Sequence, residues 1–272
     1  MVGAVLVAEL AAATALISGG TAAVPAHSAS SSKSVAVDGR TVRLVSLGGA
    51  RTDALLKRVG AGIGGAVTAV EGFWGTDWER EIVVVATDSD AQFVDDAHLD
   101  QRRQWTDIAA VSVADEVDLA DRRTSGQRIV LAPGAAAMSD SALRIVLAHE
   151  LFHLAARADT ALDAPRWLTE GVADFVARPP SEIPADVSTV LPSDAALDVS
   201  GSERAAGYDR AWWFARFVAD TYGIDGLRRL YAAACGPGHG DLAAAVRQEL
   251  GVDTDGLKIR WAHWLTVQRQ RR

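Results

Sequence analysis

His149-Glu150-Leu151-Phe152-His153 is the stretch on which the reading of this chain turns. On an α-helix, residues four apart lie one turn above each other, about 40° apart around the axis. His149 and His153 therefore present both imidazoles on one face, where they can grip a single cation at roughly 2.0–2.1 Å per nitrogen. Glu150 falls on the flank of that face. It is placed to take a proton from water held by such a cation rather than to bind the cation itself.

A second helical segment follows, Asp163-Ala164-Pro165-Arg166-Trp167-Leu168-Thr169-Glu170-Gly171-Val172-Ala173-Asp174-Phe175. Asp163 reads as its N-cap, and Pro165 sits inside the first turn, where a missing N–H costs nothing. Glu170 and Asp174 lie at i and i+4 on one face, an arrangement that costs about a few tenths of a kcal/mol unless a positive group lies beside it. A zinc ion with its histidines reverses that cost. On this reading Glu170 is the third metal ligand, and Asp174 accepts the free ring N–H of a ligand histidine. Three protein ligands leave one position for water, the pattern of a catalytic rather than a structural zinc site.

These two segments together resemble the gluzincin metallopeptidases, and within them the peptidase MA-like family, marked by HExxH followed by a W-L-x-E-G-x-A-x-[FY] helix. The matching residues here are His149 to His153 and then Trp167-Leu168-Thr169-Glu170-Gly171-Val172-Ala173-Asp174-Phe175. The resemblance spans roughly residues 80 to 265. It implies His149, His153 and Glu170 as zinc ligands and Glu150 as general base. It also implies an edge strand that takes an extended peptide, with Ile108–Val113 or Arg128–Ala132 as the strand. Tyr208, ahead of the aromatic helix through Trp212, Trp213, Phe214 and Phe217, occupies the place where related enzymes carry an oxyanion-stabilising tyrosine. His239, in a glycine-rich loop, is the rival for that role.

Composition bounds the alternatives. With 272 residues of which 49% are hydrophobic, the chain is long and apolar enough for a sizeable core. A net charge of −8 and a pI near 5.2 argue against nucleic acid as the partner, because phosphate binding needs a basic face. Cys235 is the single cysteine, so no disulfide can form within the chain. His98 and His263 have no neighbours at metal-ligand spacing and read as satisfied or surface histidines. Trp167, Trp212, Trp213, Trp261 and Trp264 fall at helical intervals and read as core.

The organisation along the chain is read as follows. Residues 1–26, apolar from Val2 to Ile17 and then rich in small residues, look like a signal peptide or an N-terminal membrane anchor. Residues 27–34 read as a linker. A small region of unknown role follows at 35–80, with a hairpin around Asp38-Gly39 and a glycine-weakened helix over 51–71. Residues 81–268 form the zincin-like domain. Glu81–Ala86 is a β-branched strand, Asp88–Asp96 starts a short helix, and Ile108–Val113 and Arg128–Ala132 make a strand pair. Ser139 caps the helix that carries the histidines. Beyond Asp140 the apolar spacing is helical throughout, interrupted by a Pro/Ser/Asp-rich connection over 178–204 that reads as an exposed loop.

The expected fold is thus α+β: an N-terminal mixed or antiparallel sheet packed on the HExxH helix, followed by an all-helical C-terminal part. The expected function is that of an exported zinc metallopeptidase, secreted or at the cell surface. Its partners would be peptide or protein substrates, and it would meet a membrane only through the N-terminal segment. Two alternatives stay open at this stage: a zinc-folded surface-binding module with little turnover, and a zinc amidase acting on a non-peptide amide.

Overall fold

A computed structural model describes residues 31–270 apart from 102–104, 106–107 and 185–186. The N-terminal export or anchor segment lies outside the described residues. Among those described, no helix is long and apolar enough to cross a membrane. The protein is α+β, with a mixed sheet first and a mostly helical part after it. The chain divides into two compact units, the second made of Leu119–Asp121 and the residues from Asp159 onward.

The first unit opens with strands β1 (Ser31–Val37) and β2 (Arg40–Ser46), paired antiparallel with Val37 opposite Arg40. Asp38 and Gly39 turn the corner with φ of 47° and 78°. Both central residues at positive φ is what a two-residue hairpin matching the strand twist demands, and Asp-Gly meets it at little cost. Helix α1 (Ala50–Trp74) then carries the chain to β3 (Glu81–Ala86), which pairs in parallel with β2 from Thr41↔Glu81 to Ser46↔Ala86. After α2 (Asp90–Asp96) come β4 (Ala110–Val113), a small hairpin of β5 (Glu116–Asp118) and β6 (Arg123–Ser125), and β7 (Arg128–Leu131). The main sheet runs β1-β2-β3-β7-β4, with β7 parallel to β3 and β4 antiparallel to β7.

Residues 35–80, read from sequence as a separate addition, are therefore built into the sheet, and the last four residues of the expected linker belong to β1. The reason is topological: a parallel pair is joined by a crossover helix and has no local turn to announce it. Helix α1 also runs longer than its glycines suggest. Its buried stripe of Leu55, Leu56, Val59, Ile63, Val67 and Val70 offsets their weak propensity.

Side-chain alternation assigns the two faces of the sheet. Val42, Leu44, Ile82, Val84, Ile129 and Leu131 are fully or nearly fully buried on the face toward α1 and α3 (Asp140–Ala156). Val111 and Val130 turn the other way and pack with Phe93 of α2, Trp105 and Ile108. Of the two strands proposed as the edge, β4 is the edge and β7 is interior.

The second unit holds α4 (Arg166–Ala177), α5 (Ser202–Cys235), α6 (Leu242–Leu250) and α7 (Thr254–Gln270). Gly223, at φ 81° and ψ 163°, breaks α5 into two helical runs, which agrees with its reading as punctuation. The tryptophans form the core as expected. Trp167 meets Phe214 edge-on at 5.2 Å, and Phe217 lies 5.5 Å from Trp261.

Candidate metal centre

Ser139 starts α3 as the sequence indicates, its Oγ accepting the N–H of Ala142 at 3.2 Å. The helix is buried on nearly every side, because α1 covers one flank and strands β4 and β7 another. His149 and Glu150 have no exposed surface, and His153 is partly exposed. The Nε2 atoms of His149 and His153 stand 3.2 Å apart. The His153 ring is braced by Phe152, centroids 5.9 Å apart, and Phe152 packs in turn on Phe73 and Trp74 at the end of α1. The region read as having no known role thus supports the second histidine.

Helix α4 holds the acids. Glu170 and Asp174 are both buried, at 3% and 4% exposure. Asp163 does not cap this helix. Pro165 is at the N-cap position without a side-chain hydrogen bond, and the Trp167 N–H is instead accepted by Asp194 Oδ1 at 2.8 Å. Asp163 lies 3.4 Å from His239 Nε2, and His239 Nδ1 is 2.9 Å from its neighbour's carbonyl at Gly240. The 178–204 connection is therefore not simply an exposed loop: besides the Asp194 cap it supplies Asp198, 2.5 Å from Arg166, and the buried Leu197.

Gly171 lies where α4 packs on α5. A Cβ there would lie 2.5 Å from the Ala211 carbonyl oxygen, so only glycine lets the helices meet at this spacing. That approach brings one face of α5 against the acidic row of α4. Arg178, one turn beyond Asp174, donates to Asp174 Oδ2 at 3.1 Å and to Asp209 Oδ1 at 2.9 Å, with its guanidinium 3.6 Å above the Trp212 ring. Tyr208 is buried beside Asp209. Burial by itself would lower the Arg166 pKa, but Asp198, with Tyr208 and Asp194, outweighs it and raises the value.

His149, His153 and Glu170 each offer one ligand atom, and these atoms lie within 4.8 Å of one another. This buried group could hold a metal ion. Among the described residues it is the only such group of three or more. The three side chains that sequence reasoning named as ligands are thus brought together. The structure also places Asp174 on the same helical row and Tyr208 on the neighbouring helix.

Sequence reasoning missed Arg178, Asp209, Asp194 and Arg157, whose Nη2 donates to the Ser112 carbonyl at 2.7 Å. Arg178 was legible as an i+4 partner of Asp174. The other three meet their partners through the tertiary fold and carry no local mark.

The sequence model of one protein family, described as the eCIS core domain, matches residues 85–161. That span runs from the end of β3 past α3 and contains His149, Glu150 and His153, but stops short of Glu170. It covers well under half of the chain. No curated protein matches.

Proposed function

We propose that this protein is a zinc metallopeptidase of the gluzincin kind, exported by its N-terminal segment. The observation that carries the reading is the convergence of two imidazole nitrogens and one carboxylate within 4.8 Å, with Glu150 next in sequence to the first histidine. Two nitrogens each about 2.05 Å from a tetrahedral zinc are roughly 3.3 Å apart, and the His149 and His153 Nε2 atoms are 3.2 Å apart. A donor set of two imidazoles and a carboxylate suits zinc and leaves one position open, as hydrolytic sites require.

His149, His153 and Glu170 would hold the ion. When bound, zinc supplies Lewis acidity, bringing water toward ionisation near neutral pH and polarising a carbonyl. Glu150 is the general base. Its carboxylate accepts the proton of the attacking water and then delivers it to the departing amine. Asp174, fixed by Arg178, orients an imidazole of the ligand pair. Tyr208 donates a hydrogen bond from its hydroxyl to the oxyanion that forms at the attacked carbon.

The test is Glu150→Gln in the full chain. It is expected to keep one zinc per chain and to lose hydrolysis of a mixed peptide pool read by mass spectrometry. A variant that cleaves at the wild-type rate removes Glu150 as base. Full zinc with no wild-type turnover on any peptide would leave a binding module or a non-peptide amidase. N-terminal sequencing of protein recovered from outside the producing cells tests export.

A further inference from the structure

Arg178 closes α4 and then reaches back along it. Its N–H donates to the Asp174 carbonyl at 2.8 Å, and its own φ of −91° and ψ of 136° are extended. Pro179 and Pro180 follow, and a residue before proline is driven out of helical conformation, so the backbone leaves the helix here. The side chain runs the other way, onto the acidic row. One nitrogen, Nη1, donates to Asp174 Oδ2 at 3.1 Å and to Asp209 Oδ1 at 2.9 Å. Glu170 and Asp174 are buried carboxylates four residues apart, which repel each other. A cation bonded to Asp174 offsets that repulsion, and a buried charge keeps its place best when an opposite charge and a hydrogen bond meet it.

On α5 the same guanidinium holds the helix on both sides of Tyr208. Asp209 is the next residue in the chain. Trp212 is one turn on from Tyr208 along the same helical row, and the guanidinium carbon lies 3.6 Å from the centre of its ring. A planar guanidinium stacked on a ring face is already oriented for the bonds it makes. Tyr208 is buried, so the place of its ring follows from the packing of this part of α5.

The backbone beyond α4 is held by a different arginine. Arg216 Nη1 donates to the Ser181 carbonyl at 2.7 Å, and its guanidinium lies 5.7 Å from the centre of the Trp213 ring, which stacks on Trp212 at 4.0 Å. The ion partner of Arg216 is Asp220 of α5, at 3.8 Å, and not an acid of α4. Holding the segment and placing the carboxylate are therefore the work of two separate side chains.

We propose that Arg178 is a positioning residue for the whole centre. By joining Asp174 of α4 to Asp209 and Trp212 of α5, it places the acid that orients a ligand imidazole and the turn of helix that carries Tyr208. The proposal rests on the metallopeptidase reading and goes beyond it: one side chain outside the ligand set governs both metal affinity and the oxyanion donor.

The experiment uses the full chain. Zinc affinity is measured by competition with a chromophoric chelator, the geometry of the centre by the visible spectrum of cobalt-substituted protein, and turnover on a peptide that the wild type cleaves. Arg178→Met is expected to weaken zinc binding by about tenfold or more, the scale of losing an outer partner of a metal ligand. It should also change the cobalt spectrum and lower kcat with KM unchanged, because the Tyr208 hydroxyl bonds the oxyanion rather than the bound substrate. Arg178→Lys keeps the charge and a donor without the stacked plane, and should recover part of each loss. Arg216→Met frees Ser181 and should leave zinc affinity and the cobalt spectrum at wild-type values, whatever it does to the thermal midpoint. Should Arg178→Met not fold, Arg178→Lys and Asp209→Ala decide the matter. Asp209 is half exposed, so its removal spares the core, and each of these two variants should show part of the same loss. Wild-type zinc affinity and spectrum in the variants at 178 and 209, equal weakening by Arg216→Met, or a wild type that binds no zinc overturns the proposal. Zinc binding that depends on Arg178 without turnover of any peptide sinks the peptidase reading alone, and turnover with no dependence on Arg178 sinks the positioning role alone.

Discussion

Asp194 Oδ1 accepts the backbone N–H of Trp167 at 2.8 Å and so caps the helix that carries Glu170 and Asp174 from a loop beyond that helix. The first N–H groups of a helix have no partner within it, and a side-chain acceptor at this place stabilises by about 1 kcal/mol. Asp194→Ala is expected to lower the thermal midpoint by a few degrees and to weaken metal retention against a chelator. Asp194→Asn keeps an acceptor and should recover most of both. Equal melting of wild-type and Asp194→Ala would show that the loop does not hold α4.

Which parts of this structure were legible in the sequence follows from the range of the interactions. Asp38-Gly39, Ser139, Gly223 and the His149/His153 pair act within a turn or two of chain, and each stands where its local pattern placed it. Asp163 had the right residue type at the right offset for a cap, yet the competing acceptor Asp194 won through the tertiary fold. Parallel pairing of β2 with β3 was likewise invisible, because residues 40–46 pair with residues 81–86 across a long helix. The α+β order, the strand pair over 108–113 and 128–132 and the grouping of His149, His153 and Glu170 needed only period and spacing, whereas which strand of the pair forms the edge needed the fold. Arg157 on Ser112 and Arg178 on Asp209 needed the fold.

Glu170→Ala should cut metal affinity far more than it cuts stability. Removing one of the three proposed ligands leaves two imidazoles, while the helix keeps its packing through Trp167, Leu168 and Val172, all buried. Zinc content after dialysis against a competing chelator, measured by atomic emission, is expected to fall from one equivalent to near zero. Far-UV circular dichroism should be retained. Full zinc in the variant would take Glu170 off the ligand set.

The glycines offer a paired test of packing against propensity. At Gly171 a methyl group would sit 2.5 Å from the Ala211 carbonyl oxygen, so Gly171→Ala must push α4 and α5 apart. Overpacking of this kind costs about 1–3 kcal/mol. A Cβ on exposed Gly65, in the middle of α1, meets nothing within 4 Å. Gly65→Ala is expected to stabilise by about 0.5–1 kcal/mol through helix propensity. Denaturant titrations should therefore move the two midpoints in opposite directions.

Arg128 ties the loop between β4 and β7 to α2, and its pH dependence has a definite sign. Its guanidinium donates to Asp115 Oδ1 at 2.7 Å, to His98 Nε2 at 2.8 Å and to the Asp96 carbonyl at 2.6 Å. Burial would raise the Asp115 pKa, but the hydrogen bond and charge of Arg128, with His98, outweigh it and hold the carboxyl below its ordinary value. A carboxylate depressed in the folded state adds stability above its unfolded pKa of about 3.9 and loses it as pH falls through the folded value. Asp115 is half exposed, so solvent screens the pair and the effect is modest. Arg128→Met removes the lowering influence and leaves burial to act, so Asp115 should titrate higher in the variant. Carbon-detected NMR of the Asp115 carboxyl reads that shift directly. The stability gap between wild-type and variant should be largest near neutral pH and should narrow as pH falls through the Asp115 pKa of the variant to the lower one of the wild type, where the carboxyl is protonated in both. A gap that stays constant from pH 7 to 3 would assign the whole effect of Arg128 to its carbonyl contacts.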